Sequence, residues 1–210
     1  MKELICGELH AFALMEDGYH HTIGLLEDGS VYAWGRNDDG QLGIGNNESQ
    51  NIHQKIELLE NVQKIRCRYD HCFALMEDGS VYAWGTNSLG QLCIGIIDHQ
   101  DIPLKVDLLE NVREFVCGAD WTFALMEDGS VYSWGSQICI GEIMYHIDPQ
   151  KIESLENVKE VICGYAHTFA LTEVGSIYGW GWNTCGQFGI GNYQIQHFPY
   201  LTSLSSVHIN

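Results

Sequence analysis

The stretch that decides the fold runs from Ala74 to Gly85 and reads Ala-Leu-Met-Glu-Asp-Gly-Ser-Val-Tyr-Ala-Trp-Gly. It recurs over residues 124–135 with one change, at Ser133, and more loosely before two further Trp-Gly pairs. The four pairs begin at Trp34, Trp84, Trp134 and Trp180. Their spacings of 50, 50 and 46 residues predict an array of similar modules, because self-similarity at a period of roughly 20–50 residues is typical of repeat proteins.

Each repeat is predicted to form four short antiparallel strands. In the second repeat they are expected near Val62–Cys67, His71–Met76, Ser80–Trp84 and Leu104–Asp107. The Asp78-Gly79 pair lies between apolar runs, which is the strongest short-range signal for a hairpin. Strand two is apolar on both faces, so the sheet must be covered on both sides. The fold class is therefore all-β, a β-propeller-like array of four four-stranded antiparallel blades.

The repeats divide a single repeat domain, residues 1–210, into four parts. Their bounds are 1–61, 62–111, 112–157 and 158–206. The first repeat contains an approximate tandem copy, residues 7–17 and 18–28, which predicts one extra hairpin strand. Its strands are expected near residues 3–6, 10–15, 20–26 and 30–34. The third repeat is shorter, so its loop at residues 136–141 is expected to be tighter.

The composition bounds the classes of partner. The chain has 210 residues, 45% of them hydrophobic and 18% charged, which predicts a folded globular protein. There are 10 Lys and Arg against 28 Asp and Glu, for a net charge of −18. Binding to phosphate depends on Lys and Arg displacing counterions, so this balance argues against nucleic acid or a membrane as the main ligand.

The chain is expected to be intracellular, in the cytoplasm, with the nucleus as an alternative. Glu3 and Glu8 interrupt the stretch where a signal peptide needs an apolar run, and no segment approaches the ~18 apolar residues of a spanning helix. Four of the eight cysteines occupy one equivalent repeat position: Cys6, Cys67, Cys117 and Cys163. They are interpreted as reduced, small apolar residues at contacts between blades.

The sequence does not indicate an enzyme. The glycine-rich run Gly40–Gly45 is not followed by a helix, so it is read as a turn over the blade edge rather than a phosphate loop. Four histidines recur before strand two and are interpreted as buried structural groups: His10, His21, His71 and His167. No nucleophile, base and oxyanion arrangement and no zinc-type Cys/His spacing is visible. We therefore expect no catalytic residue, no metal site and no cofactor.

Two faces of the array are candidate protein-contact surfaces. Trp121 replaces the repeated histidine and is a candidate contact anchor, or it merely refills the space of that histidine. The other candidates on its face are Asp120, Asp38 and Asp39. The opposite, acidic turn face carries Glu27, Asp28, Glu77, Asp78, Glu127 and Asp128. These acids form either a solubilising rim or a surface that steers a basic protein partner.

Three motifs closely resemble the repeat of the regulator of chromosome condensation family. They are Gly164–Leu171 (Gly-Tyr-Ala-His-Thr-Phe-Ala-Leu), Glu77–Gly85 and Asn37–Gly45. The resemblance implies a propeller, normally of seven blades. Members of that family include an exchange factor for the small GTPase Ran, substrate-binding regions of ubiquitin ligases, an alpha-tubulin suppressor and a plant ultraviolet-B photoreceptor. Because one scaffold serves all of these roles, the resemblance does not choose between them.

The chain departs from the family in having four repeats, an incomplete version of the ring. Uncovered terminal blades predict self-association through their exposed faces, or a remnant of a longer ancestor. The leading hypothesis is a non-catalytic scaffold for protein–protein interaction. The alternative is guanine-nucleotide exchange on a small GTPase such as Ran, as the resemblance implies.

Overall fold

The computed structural model describes residues 9–14, 20–137 and 144–202, which contain strands and turns but no helix. The strands are β1 (Leu9–Leu14), β2 (His21–Leu26), β3 (Val31–Gly35), β4 (Gln50–Lys55), β5 (Val62–Arg68), β6 (His71–Met76), β7 (Val81–Gly85), β8 (Gln100–Lys105), β9 (Val112–Cys117), β10 (Trp121–Met126), β11 (Val131–Gln137), β12 (Met144–Lys151), β13 (Val158–Cys163), β14 (His167–Thr172), β15 (Ile177–Gly181) and β16 (Gln196–Leu201). The predicted all-β class is confirmed.

The strands form four separate four-stranded antiparallel sheets, which we call blades 1 to 4. Each blade is a meander in chain order, β1–β4, β5–β8, β9–β12 and β13–β16. In blade 2 the first three strands agree with the sequence prediction, but β8 begins at Gln100 rather than near Leu104. A shift in register between Ala83 and Gly85 lets Gly85 pair with Gln100, which lengthens the ladder toward the loop.

In blade 1 both halves of the tandem copy contribute a strand to the sheet. The predicted strands near 10–15, 20–26 and 30–34 correspond to β1, β2 and β3. Among the described residues this sheet has four strands in the order β1 to β4. The first copy supplies β1, and the second copy supplies β2. The predicted strand at residues 3–6 lies outside the described residues.

Blade 3 differs from the others in its last two strands. β11 has 7 residues and β12 has 8, against 5 and 6 for β7 and β8 in blade 2. The tighter loop predicted for residues 136–141 lies mostly outside the described residues. The shortened repeat thus coincides with a longer hairpin.

The turn between the second and third strands uses the Asp-Gly pair as predicted. In blade 2, Oδ1 of Asp78 accepts hydrogen bonds from the backbone N–H and hydroxyl of Ser80, at 2.9 and 2.7 Å. Gly79 has φ +82°, a left-handed conformation that suits glycine. The same carboxylate contacts recur at Asp28 and Asp128.

The glycine of each Trp-Gly pair is required by a close approach of the backbone. Gly85 has φ +95°, and a Cβ added to it would lie 2.1 Å from the carbonyl oxygen of Asp70. The next residue, Thr86, donates its N–H to that oxygen at 2.7 Å. Glycine is therefore the residue that lets the end of the third strand pass the start of the second.

The blades fall into two compact units, the first of the residues up to Glu110 and the second of those from Asn111. The core of the first unit joins blades 1 and 2 through Ile23, Leu25, Val31, Ala33, Leu42, Ile56, Leu59, Val62, Ile65, Cys72, Ala74, Met76 and Trp84. The core of the second joins blades 3 and 4 through Phe123, Leu125, Val131, Ile152, Leu155, Val158, Val161, Ala170 and Trp180. Burial between blades explains why the strands are apolar on both faces.

Candidate protein-interaction surfaces

In each unit the acidic turn face consists of the turns between the second and third strands of its two blades. Its aspartates are held in one orientation, because Asp28, Asp78 and Asp128 each accept two hydrogen bonds from the serine two residues later. The serine hydroxyl lowers the pKa of each of these carboxyls below its usual value. The adjacent glutamates, Glu27, Glu77 and Glu127, are exposed. The three aspartates therefore remain charged at neutral pH, and the glutamates beside them are accessible to a partner.

The linker between blades brings two acidic turns together in the first unit. The N–H of Val62 donates to the carbonyl of Gly29 at 3.1 Å, which places the linker against the turn of blade 1. The carbonyl of Asn61 accepts the N–H of Glu77 in the turn of blade 2 at 3.0 Å. Consecutive linker residues thus contact both turns, so the carboxylates of two blades lie on one face.

The second unit repeats this arrangement. Val158 donates its N–H to the carbonyl of Gly129, and Glu173 donates its N–H to the carbonyl of Asn157, both at 2.9 Å. In blade 4 the turn carries Val174, which is 86% exposed, in place of the aspartate. The acidic face of the second unit is therefore less charged at its last turn.

Sequence reasoning missed the acidic residues that the linkers add to this face. Glu60 and Glu156 are exposed on the linker segments that contact the turns. Each of the first three blades also places one lysine near its turn: Lys55, Lys105 and Lys151. Each lysine has an acidic neighbour, Glu57, Asp107 or Glu153, at 3.5–3.9 Å. The recurrence of Leu-Glu-Asn-Val at each repeat start was the signal that could have located Glu60 and Glu156.

The opposite face, which we call the loop face, contains a network around Arg36. Its guanidinium lies 2.8 Å from the Asp38 carboxylate, 3.6 Å from that of Asp39 and 3.9 Å from that of Asp70. His99 contacts Asp39 at 3.4 Å. Asp38 and Asp39 were predicted as contact residues, and the structure brings them together in this network on the first unit.

Trp121 begins β10 and is half-buried. Its ring lies over Gly118, where an added Cβ would be 2.1 Å from the indole nitrogen. His167 lies over Gly164 in the same way, at 2.3 Å from the corresponding Cβ position. This likeness favours the interpretation that Trp121 fills the space of the repeated histidine. The neighbouring Asp120 is exposed, and partial burial of its carboxyl raises its pKa.

The glycine-rich loop of blade 1 covers the tryptophan of blade 2. A Cβ added to Gly43 would lie 2.9 Å from the Trp84 ring, and the indole N–H donates to the carbonyl of Gln41 at 3.0 Å. Buried Asn37 holds the loop, since its amide donates to two loop carbonyls and its Oδ1 accepts the N–H of Leu42 at 2.9 Å. The prediction of a turn over the blade edge is confirmed in blade 1. The role of Asn37 was not predicted.

In the first unit His21 and His71 are buried, as predicted. Burial lowers the pKa of His21 to about 4 and that of His71 to about 3, so both imidazoles are neutral at pH 7. Nε2 of His21 lies 3.9 Å from Sγ of Cys72. Nδ1 of His21 has no hydrogen-bond partner among the described residues.

Cys67 and Cys72 are direct cross-strand partners on β5 and β6, with Cα atoms 4.2 Å apart, and the structure joins their sulfur atoms in a disulfide. This bond corrects the expectation of reduced thiols, which rested on the repeated position of Cys67. Cys72 stands where the other blades have a threonine: Thr22, Thr122 and Thr168. An extra cysteine at a position facing an existing one permits the bond.

Blade 4 exposes more large apolar side chains than the other blades. Its edge strand β16 exposes Phe198, Tyr200 and Leu201 to 50–60%, whereas β4 of blade 1 exposes only Ile52 among its apolar residues. Tyr165 and Tyr193 are exposed by 71% and 72%. Exposed aromatic residues in one region are typical of protein–protein contact surfaces.

In the described ranges no helix is long and apolar enough to span a bilayer. None of the curated proteins matches the chain in sequence. Among solved structures, human WBSCR16 is 27% identical with a TM-score of 0.82, over 95% of this chain and 54% of that one. Prp20p of Saccharomyces cerevisiae is 24% identical with a TM-score of 0.81, over 95% of this chain and 52% of that one. A second structure, of yeast RCC1 (Prp20) with Kap60 bound, gives the same identity and score over 50% of its length.

The chain spans about half the length of these solved proteins. Their folds agree with the four antiparallel blades, which are therefore blades of a propeller of this type. The model of the RCC1-like domain matches residues 12–210, nearly the whole chain. The resemblance that the repeated motifs indicated is thus confirmed, and the chain belongs to the RCC1-like domain family.

Proposed function

We propose that this chain is a non-catalytic protein-binding module of the RCC1-like type whose acidic turn face binds a partner with a basic surface. The observation that carries this proposal is the linker contact between turns, where Asn61 and Val62 hold the turns of two blades on one face. Surfaces of one charge attract partners of the opposite charge and raise the rate of association.

The acidic residues of this face are ordered before a partner arrives. Each turn aspartate is fixed by two hydrogen bonds from its serine, so less conformational freedom is lost on binding. The lysines beside the turns are fewer than the carboxylates, so the face stays negative. The net charge of −18 adds a long-range attraction for a basic partner.

The solved relatives suggest a probe for this face. The structure of Prp20p was described together with the binding of that protein to Gsp1p and to histones. Histones are strongly basic, and we therefore choose core histones as the test partner. Binding of histones by the present chain is a proposal that rests on charge complementarity.

The experiment compares two variants that each lose four carboxylates from the first unit. The first carries Glu27→Gln, Asp28→Asn, Glu77→Gln and Asp78→Asn on the acidic turn face. Asparagine still accepts the hydrogen bonds from Ser30 and Ser80, so the turns should persist. At about 0.1 M salt we expect this variant to bind core histones roughly tenfold more weakly than the natural chain, in interferometry with immobilised chain.

The control variant removes four charges from the loop face, with Asp38→Asn, Asp39→Asn, Asp98→Asn and Asp101→Asn. It should bind within about twofold of the natural chain, because the Debye length of about 10 Å at 0.1 M salt screens the distant charges. Equal loss in both variants, or binding that does not weaken as salt is raised, would contradict a specific acidic contact.

Nucleotide exchange on a small GTPase is the alternative function. The likeness to Prp20p, at 24% identity, concerns the fold, and the chain covers 52% of that protein. Release of a fluorescent guanine nucleotide from Gsp1p tests it directly. Catalysed release that exceeds the intrinsic rate about tenfold would favour exchange over the scaffold role.

We also propose that a second copy of the chain covers the outer face of blade 1. Trp34, the counterpart of buried Trp84, is half-buried and lines a cavity of about 650 Å³ with Gly24, Leu26 and Tyr32. Blade 4 carries a glycine-rich loop like the one of blade 1 that covers Trp84. No described residue lies within 4 Å of a Cβ added to Gly189 in this loop. The two copies would therefore repeat the contact between blades 1 and 2.

Sedimentation velocity tests this contact in the 210-residue chain. A dimer or larger species is expected to form as concentration rises, and Trp34→Ala should weaken it at least about tenfold, since truncation of a central aromatic residue typically costs more than 1 kcal/mol. Tyr145→Ala, at an exposed aromatic residue of blade 3, is the control and should leave association unchanged. A monomer at all concentrations would disprove the contact.

A further inference from the structure

Three metal-binding side chains from two blades converge within the first unit. The imidazole of His21 comes from β2 of blade 1, and the thiols of Cys67 and Cys72 come from β5 and β6 of blade 2. Their donor atoms lie within 4.8 Å of one another. Thiolate sulfur and imidazole nitrogen are the donors that Zn²⁺ prefers in proteins. We propose that these three side chains, with both cysteines reduced, bind a thiophilic divalent metal ion such as Zn²⁺.

The geometry is close to that of a zinc site. Bonds of about 2.3 Å to sulfur and 2.0 Å to nitrogen place the donors around a tetrahedral zinc ion roughly 3.5–3.8 Å apart. The distance from Nε2 of His21 to Sγ of Cys72 is already 3.9 Å. Cys67 and Cys72 face each other across the strand pair, so both sulfur atoms project from the same side of the sheet. Small rotations of these side chains suffice to enclose one ion.

The second thiol is not needed for the packing of the repeat. In blade 4 the same cross-strand pair is Cys163 and Thr168, whose side-chain atoms are 3.5 Å apart. In blade 3 it is Cys117 and Thr122. A cysteine opposite a threonine is therefore enough to form the blade. Cys72 adds a donor at a position that a buried histidine of the preceding blade, His21, faces.

Charge favours a divalent ion at this position. Cys72 is fully buried and His21 is 3% exposed, so an uncompensated charge there would be strongly unfavourable. Two thiolates carry a charge of −2, and a divalent cation neutralises them. Binding to two thiols and a neutral imidazole releases one proton from each thiol. Three protein donors leave one tetrahedral position for water or another small ligand.

The two states of the cysteine pair connect different parts of the unit. The disulfide joins β5 to β6 inside blade 2, whereas a bound ion also includes His21 and so joins blade 1 to blade 2. The two states exclude each other, because the disulfide must gain two electrons and two protons before its sulfurs can bind the ion. A thiol or phosphine reductant supplies these electrons in the test. The ion is therefore expected to stabilise the contact between the blades.

The test titrates the full chain, reduced with a phosphine and freed of metal, with Co²⁺ as a coloured substitute for Zn²⁺. We expect one ion per chain, a sulfur-to-cobalt charge-transfer band, and displacement of Co²⁺ by Zn²⁺. Cys72→Thr introduces the residue found at Thr122 and Thr168. Loss of a residue that only supports a metal ligand lowers the affinity for metal roughly 10- to 100-fold. Because Cys72→Thr removes a ligand itself, it should weaken Co²⁺ binding by more than that. Cys185→Ser removes an exposed thiol and should bind as the natural chain does.

A second measurement does not depend on any variant. In the folded, reduced chain, Zn²⁺ should protect Cys67 and Cys72 from alkylation and leave Cys185 reactive, as mass spectrometry of the labelled peptides would show. Absence of the charge-transfer band, undiminished binding in folded Cys72→Thr, or equal labelling with and without Zn²⁺ would overturn the proposal. A Cys67–Cys72 disulfide that resists the reductant in the folded chain would do the same.

Discussion

The two compact units build the same contact between blades with different side chains at its centre. In the first unit His21 of blade 1 faces Cys72 of blade 2 at 3.9 Å. In the second, Trp121 of blade 3 and Cys163 of blade 4 both pack against the core of the unit, and Cys163 faces Thr168. The strand register is the same in both, so the backbone accepts either set. The contact shows that a repeat can keep its packing while one copy gains a set of metal-binding donors.

The units also differ in the hydrogen bonding of the indole N–H groups of Trp84 and Trp180. Trp84 is fully buried, and its indole N–H donates to Gln41 of the loop in blade 1. Trp180 is 2% exposed, and its indole nitrogen has no hydrogen-bond partner among the described residues. The same residue at the same repeat position is therefore packed in both units, and within the described ranges its indole hydrogen bond is seen only in the first.

The largest expected effect comes from removing the tryptophan of the first contact. Trp84→Ala should lower the free energy of unfolding by about 3–5 kcal/mol, because it empties a fully buried site. Trp34→Ala, at a half-buried position of the same repeat, should cost about 1–2 kcal/mol. Urea unfolding followed by far-ultraviolet circular dichroism measures both. Equal losses would mean that the loop over Trp84 does not contribute to stability.

The next prediction compares the glycine-rich loop of blade 1, where Gly43 contacts Trp84, with the glycine-rich loop of blade 4, which contains Gly189. Gly43 and Gly189 have similar φ values, +67° and +60°, so an alanine at either is strained by roughly 1 kcal/mol. Gly43→Ala also pushes a Cβ against the Trp84 ring, which should add about 1–3 kcal/mol. Gly189→Ala is the matched control. If the second variant were the less stable in the same unfolding assay, the assigned packing would be wrong.

A smaller effect isolates the indole hydrogen bond. Trp84→Phe and Trp180→Phe remove similar volume from buried sites. In the part of the chain that the structure describes, the first variant leaves the carbonyl of Gln41 without its indole donor, and Trp180 makes no such bond. Trp84→Phe should therefore be more destabilising by about 1 kcal/mol. Differential scanning calorimetry of both variants provides the measurement. A larger loss for Trp180→Phe would argue that its N–H has a partner.

The smallest effect concerns the residue directly before His21 in the first unit and before Trp121 in the second. These residues are His20 and Asp120. The pKa of Asp120 is raised by burial, so its ionised form disfavours the folded state above that pKa. Asp120→Asn should raise stability at pH 7 by about 0.5 kcal/mol or less, since the group is exposed to solvent. The gain should disappear as the pH falls through the raised pKa toward 3.8. A gain that persists at pH 3 would exclude this cause.

Much of the fold follows from local sequence. Asp-Gly turns and apolar runs predicted three of the four strands of blade 2 within one or two residues of their observed bounds. The acidic turns were also predicted, since antiparallel meanders bring alternate turns to the same edge. In blade 1 the strands expected near residues 10–15, 20–26 and 30–34 correspond to β1, β2 and β3, and the strand expected at residues 3–6 stays a prediction. Whether a duplicated strand adds to a sheet depends on its pairing with neighbours, which no local motif encodes.

The candidate sites also combine features that local sequence predicts with features that depend on the stacking of blades. Alternation of apolar residues and the Trp-Gly period are sufficient to specify antiparallel blades of the RCC1-like type, because turn chemistry and two-sided burial depend on residues close in sequence. The grouping of His21 with Cys67, which is 46 residues away, depends on how one blade stacks on the next. Glu60 joins the acidic face for the same reason, since its linker contacts two turns at once. Stacking sums many weak apolar contacts over a whole surface, and no local motif encodes that sum.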